Sequence, residues 1–196
     1  MLKPGVAWRK DLSGVLISQR RLAARVRALA AQIQADYHGR DLVVVALLNG
    51  TVLFLADLIR SIDLPLRLDF LGVSSYGNAT VGGQPVLTRE LKLDVRGRDV
   101  LIVDDILDTG RTVSSVMERM RRLGPARIRV CVLLDKPDRR VCDVEVDYVG
   151  FRIPDVFVVG YGMDYAEKFR NLPFVGILGT HPLVAPVPRK SRRVKS

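Results

Sequence analysis

The densest chemistry in the chain lies in one run of thirteen residues, Val100-Leu-Ile-Val-Asp104-Asp105-Ile-Leu-Asp108-Thr109-Gly110-Arg111-Thr112. Aliphatic residues lead into two adjacent acids, a third acid follows, and a hydroxyl-glycine-basic-hydroxyl turn opens an amphipathic stretch. The turn has the chemistry of an anion site. Gly110 lets backbone and ligand approach closely. Thr109 and Thr112 add hydroxyl donors, and a helix N-terminus adds unpaired N–H groups and a favourable dipole. A phosphate monoester is the natural occupant. Asp104 and Asp105, placed where the strand ends, can hold sugar hydroxyls or a Mg²⁺ ion and its waters. Two adjacent acids alone read more readily as a solvated turn and a helix cap. What separates this string from that reading is the complete register of strand, acids and turn. It matches neither GxxxxGK[ST] nor GxGxxG.

Three other stretches hold polar or aromatic groups beside apolar runs. Leu48-Asn49-Gly50-Thr51 reads as a strand-to-helix turn, and Leu134-Asp135-Lys136-Pro137 as a loop after a strand. In the segment from Pro154 to Tyr165 and the following Phe169-Arg170-Asn171-Leu172, Phe157 reads by itself as a core residue and Arg170 as a surface residue. Cys131 and Cys142 form no CxxC pair and lie in apolar stretches, as buried thiols do.

The elements that must position these residues alternate between strand and helix. Leu22, Val26, Leu29, Ile33 and Tyr37 recur at helical spacing, predicting an amphipathic helix that ends near Gly39. Residues 41–48 and 99–103 are short aliphatic runs of the kind buried on both faces of a sheet. Helices are predicted at 51–62 and about 112–123. Further strands are predicted at 66–74, 85–93, 127–134, 144–150 and 156–159. The Gly-, Ser- and Asn-rich stretch 75–83 reads as a mobile connection. This order implies one α/β domain with a mostly parallel twisted sheet and right-handed crossovers. Ligands of such sheets sit at the carboxyl ends of the strands, which singles out the loops 48–51, 104–112 and 134–137.

A chain of 196 residues, 48% hydrophobic, suits one domain with a sizeable core. The domain is expected over 1–181, and 182–196 as a flexible basic tail. That tail lacks periodicity, and its last eight residues hold Arg189, Lys190, Arg192, Arg193 and Lys195 with no acid, half of the net +10. A net charge of +10 could suggest nucleic acid, but its concentration in the tail makes that ligand unlikely; the basic body that remains suits a polyphosphate substrate. Residues 1–10 contain no apolar core of signal-peptide length, and runs such as 42–48 are too short to span a membrane. With two separated cysteines, a reducing cytoplasmic setting fits best.

The thirteen-residue string resembles the signature by which type I phosphoribosyltransferases bind 5-phosphoribosyl pyrophosphate (PRPP). The resemblance extends over roughly 43–178 and is nearest to the hypoxanthine-guanine (6-oxopurine) branch. It implies their fold, a parallel sheet with a small hood and a flexible lid, and a purine salvage reaction giving IMP or GMP and pyrophosphate with Mg²⁺. It also implies a homo-oligomer, dimer or tetramer. By this resemblance Thr109, Gly110, Arg111 and Thr112 cradle the 5-phosphate, and Asp104 and Asp105 hold ribose hydroxyls, directly or through metal water. Asp108 is the candidate base. Asn49 and Gly50 bind pyrophosphate in a loop that often carries a non-proline cis peptide; relatives commonly have a basic residue where this chain has Asn49. Lys136 donates to the purine 6-oxo group, which can only accept. Phe157 stacks on the base and the Val158 backbone reads its edge. Asp164 lies near the base and a second metal, Arg170 reaches the pyrophosphate, and Ser75 and Tyr76 belong to the lid.

Two rivals remain at this level. One is a phosphoribosyltransferase for xanthine, adenine or a pyrimidine. The other is a PRPP-sensing, nucleic-acid-binding regulator on the same fold, which the basic tail keeps in play.

Overall fold

The computed structural model describes residues 10–74 and 86–179. The expected lid residues Ser75 and Tyr76, and the tail 182–196, lie outside them. Twelve elements follow in chain order: β1 (Leu12–Ile17), α1 (Gln19–Asp36), β2 (Leu42–Leu48), α2 (Val52–Arg60), β3 (Arg67–Ser74), β4 (Val86–Arg89), β5 (Asp99–Leu107), α3 (Arg111–Arg122), β6 (Arg127–Asp135), β7 (Tyr148–Arg152), β8 (Val158–Val159) and β9 (Val175–Leu178).

Six strands form the main sheet in the order β4-β3-β2-β5-β6-β7, parallel except for the antiparallel edge strand β4. Alternation along the central strands sorts their side chains between two cores. Val44, Ala46, Leu101, Val103, Cys131 and Leu133 face α1 and α2. Val43, Val45, Val100, Ile102, Val130 and Val132 face α3. Strands covered on both faces are expected to be aliphatic throughout, and β2 is buried from Leu42 to Leu47. The helical stripe Leu22, Val26, Leu29, Ile33 and Tyr37 is buried to the last residue, and Ser18 caps the helix by accepting from the Arg21 amide. No helix among the described residues is long and apolar enough to cross a membrane.

The strand bounds differ from expectation in ways that matter. β5 runs through Asp104 and Asp105 to Leu107, so the acid pair sits within the strand and not at its end. Its pairing with β2 stops at Ala46 opposite Val103, while its pairing with β6 continues to Leu107 opposite Asp135. The acids therefore line the fork where β5 parts from β2. Chain order reverses there, β2 running on to β3 and β5 to β6, which is a topological switch point. β4 ends at Arg89 rather than near 93, because Asp69 accepts from the amides of Lys92 and Leu93 and draws that segment off the edge. β7 begins at Tyr148 and not at 144; Val144 and Val146 pack on the α3 side without strand pairing.

β8 belongs to a second, antiparallel sheet in the order β1-β9-β8. Neither β1 nor β9 was anticipated. This small sheet is the hood, and it brings Phe157 and Val158 over the carboxyl ends of the main strands.

Candidate active site

A cleft of about 790 Å³ opens at the switch point. Its walls come from the β2–α2 turn (Leu48, Asn49, Gly50), the β3–β4 edge (Gly72, Val73, Thr88, Arg89), β5 and the residue after it (Asp105, Ile106, Asp108), Lys136, and the segment from Phe157 to Arg170. A smaller recess of about 240 Å³ adjoins it, lined by residues 104–110, Thr112 and Val113. Leu48, Val73, Asp105, Ile106 and Asp108 line both, so the two spaces meet between the acids and the ends of β2 and β3.

The smaller recess has the geometry of an anion cradle. Gly110 stands at the head of α3 with φ +85°, and the intrahelical ladder starts with the Ser114 amide donating to the Gly110 carbonyl, 2.9 Å. The Arg111 amide makes only a long contact with the Thr109 hydroxyl, 3.5 Å, and the ladder leaves the amides of Thr112 and Val113 to meet an anion. The Thr109 carbonyl accepts from the amides of Val141 (3.0 Å) and Cys142 (3.1 Å), which pins the turn to the loop after β6. The requirement for glycine at 110 differs from expectation: a Cβ there would point at the Cys142 carbonyl, 2.9 Å away, rather than at a ligand. The Arg111 side chain is exposed and lines neither cavity, so its contribution to the cradle is its backbone amide.

At the fork, buried Thr51 donates to Asp104 (3.2 Å) or Asp105 (3.4 Å), and the Asp105 amide donates to Asp104 (3.0 Å). Burial and the adjacent Asp105 charge push the Asp104 carboxyl well above the usual carboxylate range. Burial pushes Asp105 up too, against the hydrogen bonds it accepts and the charge of Arg170. The pair is short of positive charge, which is what a cation or a hydrogen-bonding sugar supplies. With both carboxyls raised, the folded protein binds more protons than the unfolded chain. Stability then falls as pH rises from the unfolded value near 4 through the raised folded values. Asp104→Asn keeps an acceptor for Thr51 and deletes the buried charge, so near neutral pH the melting temperature of the ligand-free protein should rise. About 1 kcal/mol is worth roughly 2–4 °C in a protein this size. PRPP affinity should fall in the same variant. Calorimetric melts at pH 5 and 8 check the sign, because the gain should be larger at pH 8.

The base side of the cleft is built by β6 and the hood. Lys136 is buried at the head of a 3-10 turn (Pro137–Arg139), its ammonium 3.9 Å from Asp155. Burial pulls its pKa down, opposed by the charges of Asp108 and Asp155. Phe157, 38% exposed, is not a core residue: its ring faces the cleft and meets Tyr165 edge-on at 5.6 Å. Val158 is buried and paired to β9. Asp108 stands just past β5, 3.1 Å from the Arg139 guanidinium. Arg170 bonds Asp164 (2.9 Å), Glu167 (3.1 Å) and the Gly162 carbonyl (3.0 Å). Asp164 also accepts from the Glu167 amide (2.9 Å).

Most of the expected site residues therefore meet around one continuous space; Asp104 borders only the recess, and Ser75 and Tyr76 lie outside the described residues. Sequence reasoning missed Arg89, Arg139, Asp155 and Gly162. Arg139 and Asp155 are surface-type residues in loops. Arg89 lies at an edge-strand end, and its sequence neighbourhood carries no motif. The peptide Leu48–Asn49 is cis, in the place the resemblance implied.

A parallel sheet whose switch point sets an acid pair between a helix-capped anion turn and a hooded base pocket defines a type I phosphoribosyltransferase. The phosphoribosyl transferase domain family matches residues 16–166. The hypoxanthine-guanine phosphoribosyltransferase of Bacillus subtilis is 44% identical over 169 residues, covering 86% of this chain and 94% of that protein. The hypoxanthine phosphoribosyltransferase of Haemophilus influenzae is 46% identical over 166 residues, 83% of this chain and 93% of the relative. Among solved structures, a hypoxanthine phosphoribosyltransferase from Staphylococcus aureus superposes with TM-score 0.86 at 40% identity, over 90% of this chain and 97% of that one. The chain belongs to the hypoxanthine-guanine phosphoribosyltransferase family.

Proposed function

We propose that the protein transfers the 5-phosphoribosyl group of PRPP to hypoxanthine or guanine, giving IMP or GMP and pyrophosphate. The observation that carries this reading is the placement of buried Lys136 and cleft-facing Phe157 in the same space as Asp105, Asp108 and Arg170. A donor-only ammonium suits a 6-oxo group and not the 6-amino group of adenine.

In the reaction the bond from the anomeric carbon to pyrophosphate breaks and a bond to a purine ring nitrogen forms, through a transition state with oxocarbenium character. The amides at the head of α3 hold the 5-phosphate. Asp104 and Asp105 orient the ribose hydroxyls. Asp108 takes the imidazole-ring proton as the new bond forms and, as a carboxylate, stabilises the cationic sugar. Holding two substrates in line supplies much of the rate.

Mg²⁺ fits this donor set. The described residues contain no group of three acids, histidines or cysteines that could cage a metal. A buried acid pair short of positive charge suits an ion held mainly by substrate oxygens and water. Asp104 and Asp105 would hold it, and it would neutralise the leaving pyrophosphate. Asp164 would hold a second ion with lone pairs left over from its bonds to Arg170 and the Glu167 amide. A homo-oligomer in the cytoplasm is part of the same reading.

Nucleotide formation from PRPP and Mg²⁺ with hypoxanthine, guanine, xanthine, adenine and uracil tests the assignment. Turnover should be highest with the first two. Lys136→Met should lower kcat/KM for them by about 10- to 100-fold, the worth of one charge-assisted hydrogen bond. Faster turnover of adenine or uracil by the native protein would sink the reading.

A further inference from the structure

The cations of the cleft are unevenly committed. Among the described residues lining it, four are acids (Asp105, Asp108, Asp164, Glu167) and three are bases (Arg89, Lys136, Arg170). Lys136 lies beside Asp155 at the base end. Arg170 is held by both Asp164 and Glu167. Arg89 differs. Its nearest carboxylate, Asp69, is 4.0 Å away, and that carboxylate already accepts from the amides of Phe70, Lys92 and Leu93. Burial pushes the Asp69 carboxyl up, but these amides and Arg89 outweigh it and hold it below the usual range, so it remains an anion satisfied largely by backbone. The Arg89 guanidinium lies over the Phe70 ring, 5.3 Å from its centre, which steers the side chain without neutralising it.

The sheet register aims this charge. Arg89 pairs with Gly72, and Gly72 pairs with Leu48, the residue before Asn49 and Gly50. The three form one row across the carboxyl edge of the sheet, with Arg89 and Leu48 about two strand spacings, roughly 10 Å, apart. The middle residue carries no side chain; the place of a Cβ there is taken by the Thr88 side chain and the Arg89 Cβ (3.0 Å), so β4 packs closely onto β3 and seats Arg89 at the rim of the cleft that it and Asn49 both line. The 48–50 loop offers amides and an uncharged side chain; it offers no cation.

We propose that Arg89 is a pyrophosphate-binding residue, the cation that pairs from the sheet edge with the leaving group held on the Asn49–Gly50 loop. This rests on the phosphoribosyl-transfer reading for the identity of the anion. A planar guanidinium can grip phosphate oxygens in bidentate fashion, which makes Arg stronger here than a point charge.

Calorimetric titration of inorganic pyrophosphate with Mg²⁺ into the full chain, native, Arg89→Gln, Arg89→Lys and Arg89→Gln with Asn49→Lys, tests the assignment. Arg89→Gln should weaken pyrophosphate about 10- to 100-fold and raise the KM for PRPP in parallel. The dissociation constant of GMP, which has no pyrophosphate, should move less than about twofold. Lysine at 89 should recover part of the loss, and lysine at 49 should restore a cation to the same anion. Unchanged pyrophosphate affinity in Arg89→Gln would overturn the proposal, and so would an equal loss of GMP affinity or a lowered melting temperature. Failure of the parent reading looks different: the native protein would form no nucleotide from any base, while the dependence of pyrophosphate binding on Arg89 would stand.

Discussion

Asp108→Asn is expected to lower kcat by about 10²–10⁴-fold, the usual contribution of a general base, while the KM for PRPP changes little. Asp108 lines both the anion recess and the base cleft, so it stands where the two substrates meet. Its one ion-pair partner among the described residues, Arg139, is an exposed side chain that also reaches Asp155 at 3.7 Å. That pairing holds the carboxylate in place without burying it. Asparagine is nearly isosteric and still accepts from Arg139, but it loses basicity and negative charge together. In the proposed reading, ground-state PRPP affinity rests on the α3 amides, the acid pair and the pyrophosphate loop, none of which the substitution touches. The defect should therefore appear equally in kcat and kcat/KM, the signature of an interaction made in the transition state. Product release can mask a chemical defect, so the single-turnover rate at saturating substrates is the measurement that decides. A near-native single-turnover rate would leave Asp108 a loop residue whose task is to hold Arg139.

The legible parts of this molecule were those in which local pattern and tertiary demand agree. The α1 stripe and the aliphatic strands β2, β5 and β6 announce their burial by periodicity, and the turn at 109–112 announces an anion by residue type. β5 shows where agreement fails. Acids at 104 and 105 read as the end of a strand, yet pairing with β6 carries the ladder two residues past them, because burying the pair at the fork is what the site requires. β1 and β9 escaped because each is short, half polar or glycine-containing, and meaningful only opposite the other: Leu12 pairs with Leu178 across nearly the whole chain. Phe157 read as core for a similar reason. It sits in a run of valines, and only the hood's position over the main sheet turns its ring into the cleft. Lys136, a bare loop lysine by sequence, is buried in the fold, beside Asp155.

Gly162→Ala should be the most damaging single-methyl change in the described chain, and it should strike the pyrophosphate end of the site. Gly162 has φ +103°, where an L side chain is strained by about 1–3 kcal/mol. A Cβ there would lie 1.9 Å from the Gly50 carbonyl oxygen and 3.1 Å from its carbon. Backbone meets backbone, so no rotamer relieves the overlap and one of the two loops must move. Both are tied down. The Gly162 amide donates to the Arg170 carbonyl (2.9 Å), and its own carbonyl accepts from the Arg170 guanidinium. Next door, the Tyr161 hydroxyl donates to Asp57 on α2, the helix that follows Gly50 (2.6 Å). Shifting either loop separates Arg170, which the resemblance places at the pyrophosphate, from the Asn49–Gly50 loop proposed to hold the leaving group. A displacement near 1 Å is worth about 10²-fold in rate. The expected result is a loss of that order in kcat/KM for PRPP and a matching loss of pyrophosphate affinity. The melting temperature should fall by about 2–4 °C for each kcal/mol of strain. Gly110→Val supplies the contrast. Its side chain would press on the Cys142 carbonyl behind the 5-phosphate turn, so PRPP and GMP should weaken together. GMP carries the 5-phosphate and no pyrophosphate, so its dissociation constant separates the two ends. It should rise far more in Gly110→Val than in Gly162→Ala, and equal losses in the two variants would show that the 160–170 loop supports the whole cleft and not its pyrophosphate end.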